Sequence, residues 1–234
     1  MDVDAIHTTT AALARARPLF HSEADFQHAF AWRLHLTHPD ARIRLETRPR
    51  PGVRLDIMAL IDGRRVAVEL KYLLRDLAVT VEDEVFDLPL QGAQDVRRYD
   101  FVKDIARLEL LRAEDAADDG FAIALTNDPN YWQGGDRERV ADAAFRLGEG
   151  RALEGALQWA AHTGAGTMRG RESVIALAGR YEIGCATSAS SAAGATERFV
   201  IWLSPCHRLG PSPCGCHSQW PGPGRSLRAT TRLS

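Results

Sequence analysis

The sequence predicts an α/β fold, with a central mixed sheet flanked by helices. Three observations lead there. Residues 53–61 (VRLDIMALI) and 64–72 (RRVAVELKY) read as strands, and Asp62-Gly63 between them is the strongest short hairpin signal. Apolar residues recur at helical spacing before this pair, in 22–38, and after it, in 92–114. Residues 120–126 (GFAIALT) form a short apolar run that suits a buried strand. With a short strand preceding the hairpin, the order is helix, strand, strand, strand, helix, strand.

Taken in order, Ser22 is a good N-cap for the first of these helices, and Asp25 follows in a capping-box-like position. Glu23, Phe26, Gln27, Phe30 and Leu34 fall on one stripe, and His38-Pro39 ends the helix. Residues 42–48 (RIRLETR) alternate as a strand does, and Pro49 and Pro51-Gly52 are expected to break it. Residues 77–90 are acidic with some alternation, which suits an inserted hairpin or a long loop. The helix over 92–114 carries Val96, Tyr99, Val102, Ile105, Ala106 and Leu108 as its apolar stripe. Arg97, Arg98, Asp100, Lys103 and Asp104 are expected on its solvated face, with Tyr99 and Phe101 in the core. Asn127-Asp128-Pro129 closes the apolar strand, and Tyr131-Trp132 beyond it is expected to pack rather than stack on a base. Residues 136–148 read as helical, 151–161 admit a helix, and 172–183 read as a last strand or short helix.

Composition sets bounds on function. Hydrophobic residues make up 45% and charged residues 26% of 234, an ordinary globular balance that allows one sizeable core. No apolar run approaches the roughly 18 residues of a membrane span, and MDVDAIHTTT has no leader-like pattern, so a cytoplasmic protein is expected. A net charge of -2 argues against a large non-specific nucleic-acid surface but leaves room for a local basic cleft. Among 29 basic residues only Lys71 and Lys103 are lysines, the pattern of a GC-rich coding sequence. In such a chain a lysine marks a place where a compact ammonium matters.

Candidate chemistry centres on the hairpin. If Asp62-Gly63 is a two-residue turn, Ile61 pairs with Arg64, and Asp56 lies opposite Glu69 with Cβ atoms about 4.5–5.5 Å apart. A looser four-residue turn places Asp56 opposite Lys71 instead. In either register Asp56, Glu69 and Lys71 share one face, because strand side chains alternate. Two opposed carboxylates repel unless a cation lies between them, and a hard divalent ion such as Mg²⁺ suits oxygen ligands. With a lysine beside it, that set suits phosphodiester hydrolysis. The opposing interpretation is a solvated strand face with a surface salt bridge.

Asp56 followed by Glu69-Leu70-Lys71 resembles the D…(D/E)-x-K signature of the PD-(D/E)XK nuclease superfamily, and the element order resembles that family's core. The resemblance covers roughly residues 20–127. It implies a restriction-endonuclease-like fold and a metal-dependent nuclease acting on nucleic acid, DNA first, in a defence or repair context. It implies Mg²⁺ or Mn²⁺ held by Asp56, Glu69 and Leu70, with Lys71 catalytic. Glu23 matches the position of a further acid that many members carry on the first helix. Leu55 stands where the motif name has proline. Gln27, one turn after Glu23, and Lys103 are weaker candidates for substrate contact. The runner-up is a non-catalytic nucleic-acid or protein-binding module on the same fold.

From Gly184 onward the chain changes character. Across the remaining residues there is no lysine or aspartate and a single glutamate, Glu197. All four cysteines (Cys185, Cys206, Cys214 and Cys216) lie here, and with His207 and His217 they lack the C-x₂-C spacing of a zinc knuckle. Only 199–203 (FVIWL) looks able to enter a core. The composition suits an irregular tail read out of frame, which predicts that a single-base shift near codon 184 of the coding DNA restores a charged, periodic sequence.

Overall fold

The computed structural model describes residues 2–17, 19–81, 83–132, 139–185 and 201–205. Helix α1 (Asp2–Ala16) comes first and lay outside the expectations above; it buries Ile6 and Leu13 against α2 (Glu23–Thr37). The expected cap of α2 is present: the Ser22 side chain accepts the Asp25 amide at 3.1 Å. Phe26, Gln27, Phe30 and Leu34 are its buried residues, as the stripe predicts.

Three strands follow, β1 (Arg42–Arg50), β2 (Val53–Ile61) and β3 (Arg64–Leu73). Asp62 and Gly63 have φ of 48° and 79°, the left-handed pair that a two-residue hairpin turn requires. Pro49 does not end β1 as expected. This strand is at the edge of the sheet, where a missing amide costs no ladder bond, and a register shift between Thr47 and Arg50 accommodates it. The acidic stretch is a separate hairpin, β4 (Leu77–Val81) with β5 (Glu84–Leu88). Helix α3 (Gln94–Ala113) then crosses over to β6 (Asp119–Thr126), which runs parallel to β3.

Beyond β6 two expectations fail. The described part of 136–148 forms turns and one short 3₁₀ segment, Ala143–Phe145, because tertiary contacts override local propensity. Asp142 is drawn in by Arg98 at 2.6 Å and Arg146 at 3.0 Å, and Phe145 and Leu147 are buried. Within 151–161 the structure forms β7 (Ala152–Leu157); its buried Leu153 and Leu157, four apart, fit a strand period as well as a helical one. After a short α4 (Ala165–Met168) the chain forms β8 (Ile175–Cys185), a strand where 172–183 admitted a strand or a short helix. The tail supplies β9 (Ile201–Pro205), which includes the last three residues of the 199–203 stretch; 199 and 200 lie outside the described residues. The rest of the tail, with Cys206, Cys214 and Cys216, lies outside the described residues.

The main sheet runs β1-β2-β3-β6-β9-β8-β7, with β9 parallel to both β6 and β8. Helices α1 and α2 pack on one face, over Ile57, Ala59, Val66, Val68 and Leu70. Helix α3 packs on the other, with Phe101, Val102, Ile105 and Leu108 against Ala67, Ala122 and Ala124.

Candidate functional site

β2 and β3 stay in register from Ile61↔Arg64 to Ile57↔Val68, the pairing that the two-residue turn predicts. One step further the ladder stops. Instead of a backbone partner, the Leu70 amide finds the side chain of Asp56, donating to Oδ2 at 2.7 Å. The next amides on that edge of β3 are met the same way. Tyr72 N donates to Glu23 Oε2 at 2.9 Å, and Leu74 N donates to Gln91 Oε1 at 3.1 Å. Three alternate amides that β2 no longer serves are thus satisfied by oxygens from β2, α2 and the segment before α3, as buried backbone donors require. The other edge of β3 is paired with β6 from Val66 to Leu73. The expected face-to-face pair of Asp56 and Glu69 is therefore replaced by a fork between strands, with Asp56 reaching across it.

Glu69 and Lys71 do share a face, and it is turned to α3. There Arg107 forms an ion pair with Glu69 and, through Nη2, meets Asp104 Oδ1 at 2.7 Å. Lys71 Nζ lies 3.1 Å from Asp104 Oδ2. The idea of a solvated strand face fails, since Glu69 is 2% exposed and Asp104 3%. Asp104 and Arg98 were expected on the wet side of α3 and are both buried. Asp104 in fact falls on the buried stripe Phe101, Ile105, Leu108, and an aspartate inside an apolar stripe was the signal that could have found it. Arg107 and Gln91 gave no comparable signal.

The cluster holds four carboxylates, Glu23, Asp56, Glu69 and Asp104, against two cations, Lys71 and Arg107. Burial pushes the Glu69 carboxyl up to about 8, with Asp104 and Asp56 adding to the rise and Arg107 opposing it. Burial likewise raises Asp104, outweighing Lys71 and Arg107. For Lys71 burial works against the ammonium, but Asp104, Glu23 and Asp56 outweigh it and hold its pKa above the ordinary value. Surrounding protein raises Glu23 against the pull of Lys71 and the Tyr72 amide, although the residue is exposed.

The donors are all hard oxygens, which fit a divalent ion in the Mg²⁺ class, and buried Asp104 Oδ2 faces Lys71 Nζ. Leu70 has only its main-chain carbonyl to offer such an ion. Among the described residues no three acidic, histidine or cysteine side chains already converge as a ligand set. Glu69 is closed onto Arg107, and Asp56 onto the Leu70 amide.

The weaker candidates divide. Gln27 is buried and donates at 2.9 Å to both the Asp56 carbonyl and Glu46 Oε1, so it positions the Asp56 backbone. Glu46 is itself held at a φ of 55° and is clasped by Arg54. Lys103 is exposed, outside the cluster. Tyr99, Phe101 and Tyr131 are core residues, and Trp132 packs against the same cluster, as expected. His28 and His35 are exposed on α2. Compared with protein-family models, with curated proteins and with solved structures, the chain finds no match.

Proposed function

We propose that this protein is a metal-dependent nuclease of the PD-(D/E)XK type, hydrolysing phosphodiesters in nucleic acid, with DNA the first substrate to test. The observation that carries this is the fork between β2 and β3. It gathers Asp56, Glu69 and Lys71 with Glu23, Asp104 and Arg107 into one cluster that, fully ionised, has an excess of two negative charges. Asp56, Glu69 and the Leu70 carbonyl are the groups that would hold Mg²⁺ or Mn²⁺. When bound, such an ion polarises a phosphoryl oxygen and lowers the pKa of water.

The protein's own contributions follow from the geometry. Lys71, fixed by Asp104, presents an ammonium whose charge is kept by its acidic neighbours and which suits charge developing on phosphate. Gln27 holds the Asp56 backbone in place, and Glu23 steadies β3 through the Tyr72 amide. The sheet order around the site, β1-β2-β3-β6 with a helical crossover into a parallel β6, also supports the reading.

One observation favours a second reading, a non-catalytic binding module. Glu69 and Asp56 both have structural partners, Arg107 and the Leu70 amide, that explain them without any metal. Cleavage of labelled DNA with Mg²⁺ or Mn²⁺ separates the two. Lys71→Ala should abolish cleavage and leave DNA affinity nearly intact, because its role belongs to the transition state. Lys71→Arg should not rescue, since a guanidinium is bulkier and differently hydrated. Wild-type protein that binds metal but cleaves nothing, or Lys71→Ala with full turnover, leaves only the second reading.

A further inference from the structure

The chain carries a net charge of -2, yet residues 42–54 hold five arginines against one glutamate. A general arginine habit does not explain such segregation, and the pairing of β1 with β2 shows where these charges go. Ile43↔Ala59 and Leu45↔Ile57 share a face, and it packs toward α1 and α2. Arg42↔Leu60 and Arg44↔Met58 therefore lie on the opposite face, the one that carries Asp56. Beyond Asp56 the alternation changes, since Val53 and Leu55 pack with the α3-side cluster and Arg54 is held by Glu46, which Gln27 of α2 also contacts; Arg48 is exposed near the end of β1.

This face is open. Helix α3 packs mainly over β3, β6 and β8. Arg42, Arg44, Arg48 and Arg54 are all exposed. Arg54 is engaged by Glu46, while among the described residues no carboxylate lies within ion-pair distance of Arg42, Arg44 or Arg48. From the Thr47–Leu55 pair to the Arg42–Leu60 pair is five residues, about 17 Å of strand at roughly 3.4 Å each, the rise of about five base pairs. Alternate strand residues thus repeat at about twice the axial phosphate spacing along one strand of a duplex. The β4–β5 hairpin, beside the start of α2 through the His21–Glu84 pair, instead exposes Asp83, Glu84 and Asp87. A polyanion is favoured over β1 and β2 and repelled from that hairpin.

We propose that the β1–β2 edge of the sheet is a docking surface for the phosphate backbone of duplex DNA, with Arg42, Arg44 and Arg48 as its principal contacts, running past Asp56. The proposal rests on the nuclease reading for its substrate but does not need the chemistry to occur. The test is fluorescence anisotropy of an end-labelled duplex in EDTA, titrated between about 50 and 200 mM salt. The variant is Arg42→Gln/Arg44→Gln/Arg48→Gln, and the control is Arg169→Gln/Arg180→Gln, exposed residues on the β7–β8 side. Wild type should bind with a steep salt dependence. The triple variant should lose about 0.9 of slope per contact, between two and three in all, and at least roughly tenfold in affinity at the lowest salt, while the control stays unchanged. Equal binding by wild type and triple variant overturns the proposal, as does an equal loss in the control. So does a wild type that ignores the duplex but captures polyglutamate through these arginines, which would point to an acidic polypeptide instead. If the arginines bind DNA and no metal supports cleavage, the surface stands and the nuclease reading falls.

Discussion

Replacing Glu69 by glutamine isolates the electrostatic cost of the cluster. In the folded protein its carboxyl titrates at about 8, against an ordinary 4.5. A raised pKa means the folded state keeps a proton that the unfolded chain has already released in this window. Stability must then fall as pH rises from about 4.5 to about 8, and level off above it. The interval from 4.5 to about 8, at about 1.36 kcal/mol for each pH unit, sets a ceiling of roughly 5 kcal/mol. Because Asp104 competes for the same proton and the site can relax, about 2 kcal/mol is the working expectation. Glutamine keeps an oxygen for Arg107 but cannot ionise. Urea unfolding in EDTA, near pH 5.5 and again near 8.5, supplies the measurement. Wild type should lose about 2 kcal/mol between them with an unchanged m-value, and Glu69→Gln should lose much less, overtaking wild type at the higher pH. A wild type equally stable at both, or a variant with the same decline, would refute the idea that ionised Glu69 strains this fold.

Two further outcomes follow from the same geometry. Mg²⁺ or Mn²⁺ should raise the melting temperature, more strongly at pH 8 than at pH 6 because the ion competes with the Glu69 proton, and Asp56→Asn/Glu69→Gln should remove the shift; a double variant that keeps the full shift moves the metal elsewhere. Asp56→Ala in EDTA should cost about 1–3 kcal/mol, because the Leu70 amide loses its acceptor, and a variant as stable as wild type by urea unfolding would show that water replaces the carboxylate freely.

The parts legible in the sequence are those fixed by local chemistry. Ser22 and Asp25 set the start of α2, and Asp62-Gly63 sets the turn and with it the register of β2 on β3. The parity of Asp56, Glu69 and Lys71 follows from the turn alone. What escaped were features set by distant partners. The end of the ladder at Ile57↔Val68 depends on Glu23 and Gln91 arriving to serve β3, and neither arrival has a local signature. Asp104 and Arg107 complete the cluster from a helix that follows β3 by some twenty residues, and Asp104 was misassigned because charge was weighed before its place on the apolar stripe. The stretch around Ala143–Phe145 missed its helix because Arg98, buried on α3, claims Asp142.

The fork itself connects fold to chemistry. A strand that parts from its neighbour leaves amides unmet, and apolar side chains cannot meet them; oxygen-bearing side chains must come in from elsewhere. Here two of the three that do so are carboxylates, Asp56 and Glu23, and each brings negative charge to the place where Glu69 and Asp104 are already buried. Lys71 and Arg107 offset half of that charge if all four acids are ionised. The remainder must be removed by protons, which is what the raised Glu69 and Asp104 express, or by a cation from outside. Those alternatives exclude one another at the same oxygens, so metal uptake should release a proton. Calorimetric titration of Mn²⁺ near pH 7 in two buffers of different ionisation enthalpy measures that release. A value near one proton per ion supports a cation site built from the fork, whereas binding with no proton exchange would leave the carboxylates as caps for β3 and nothing more.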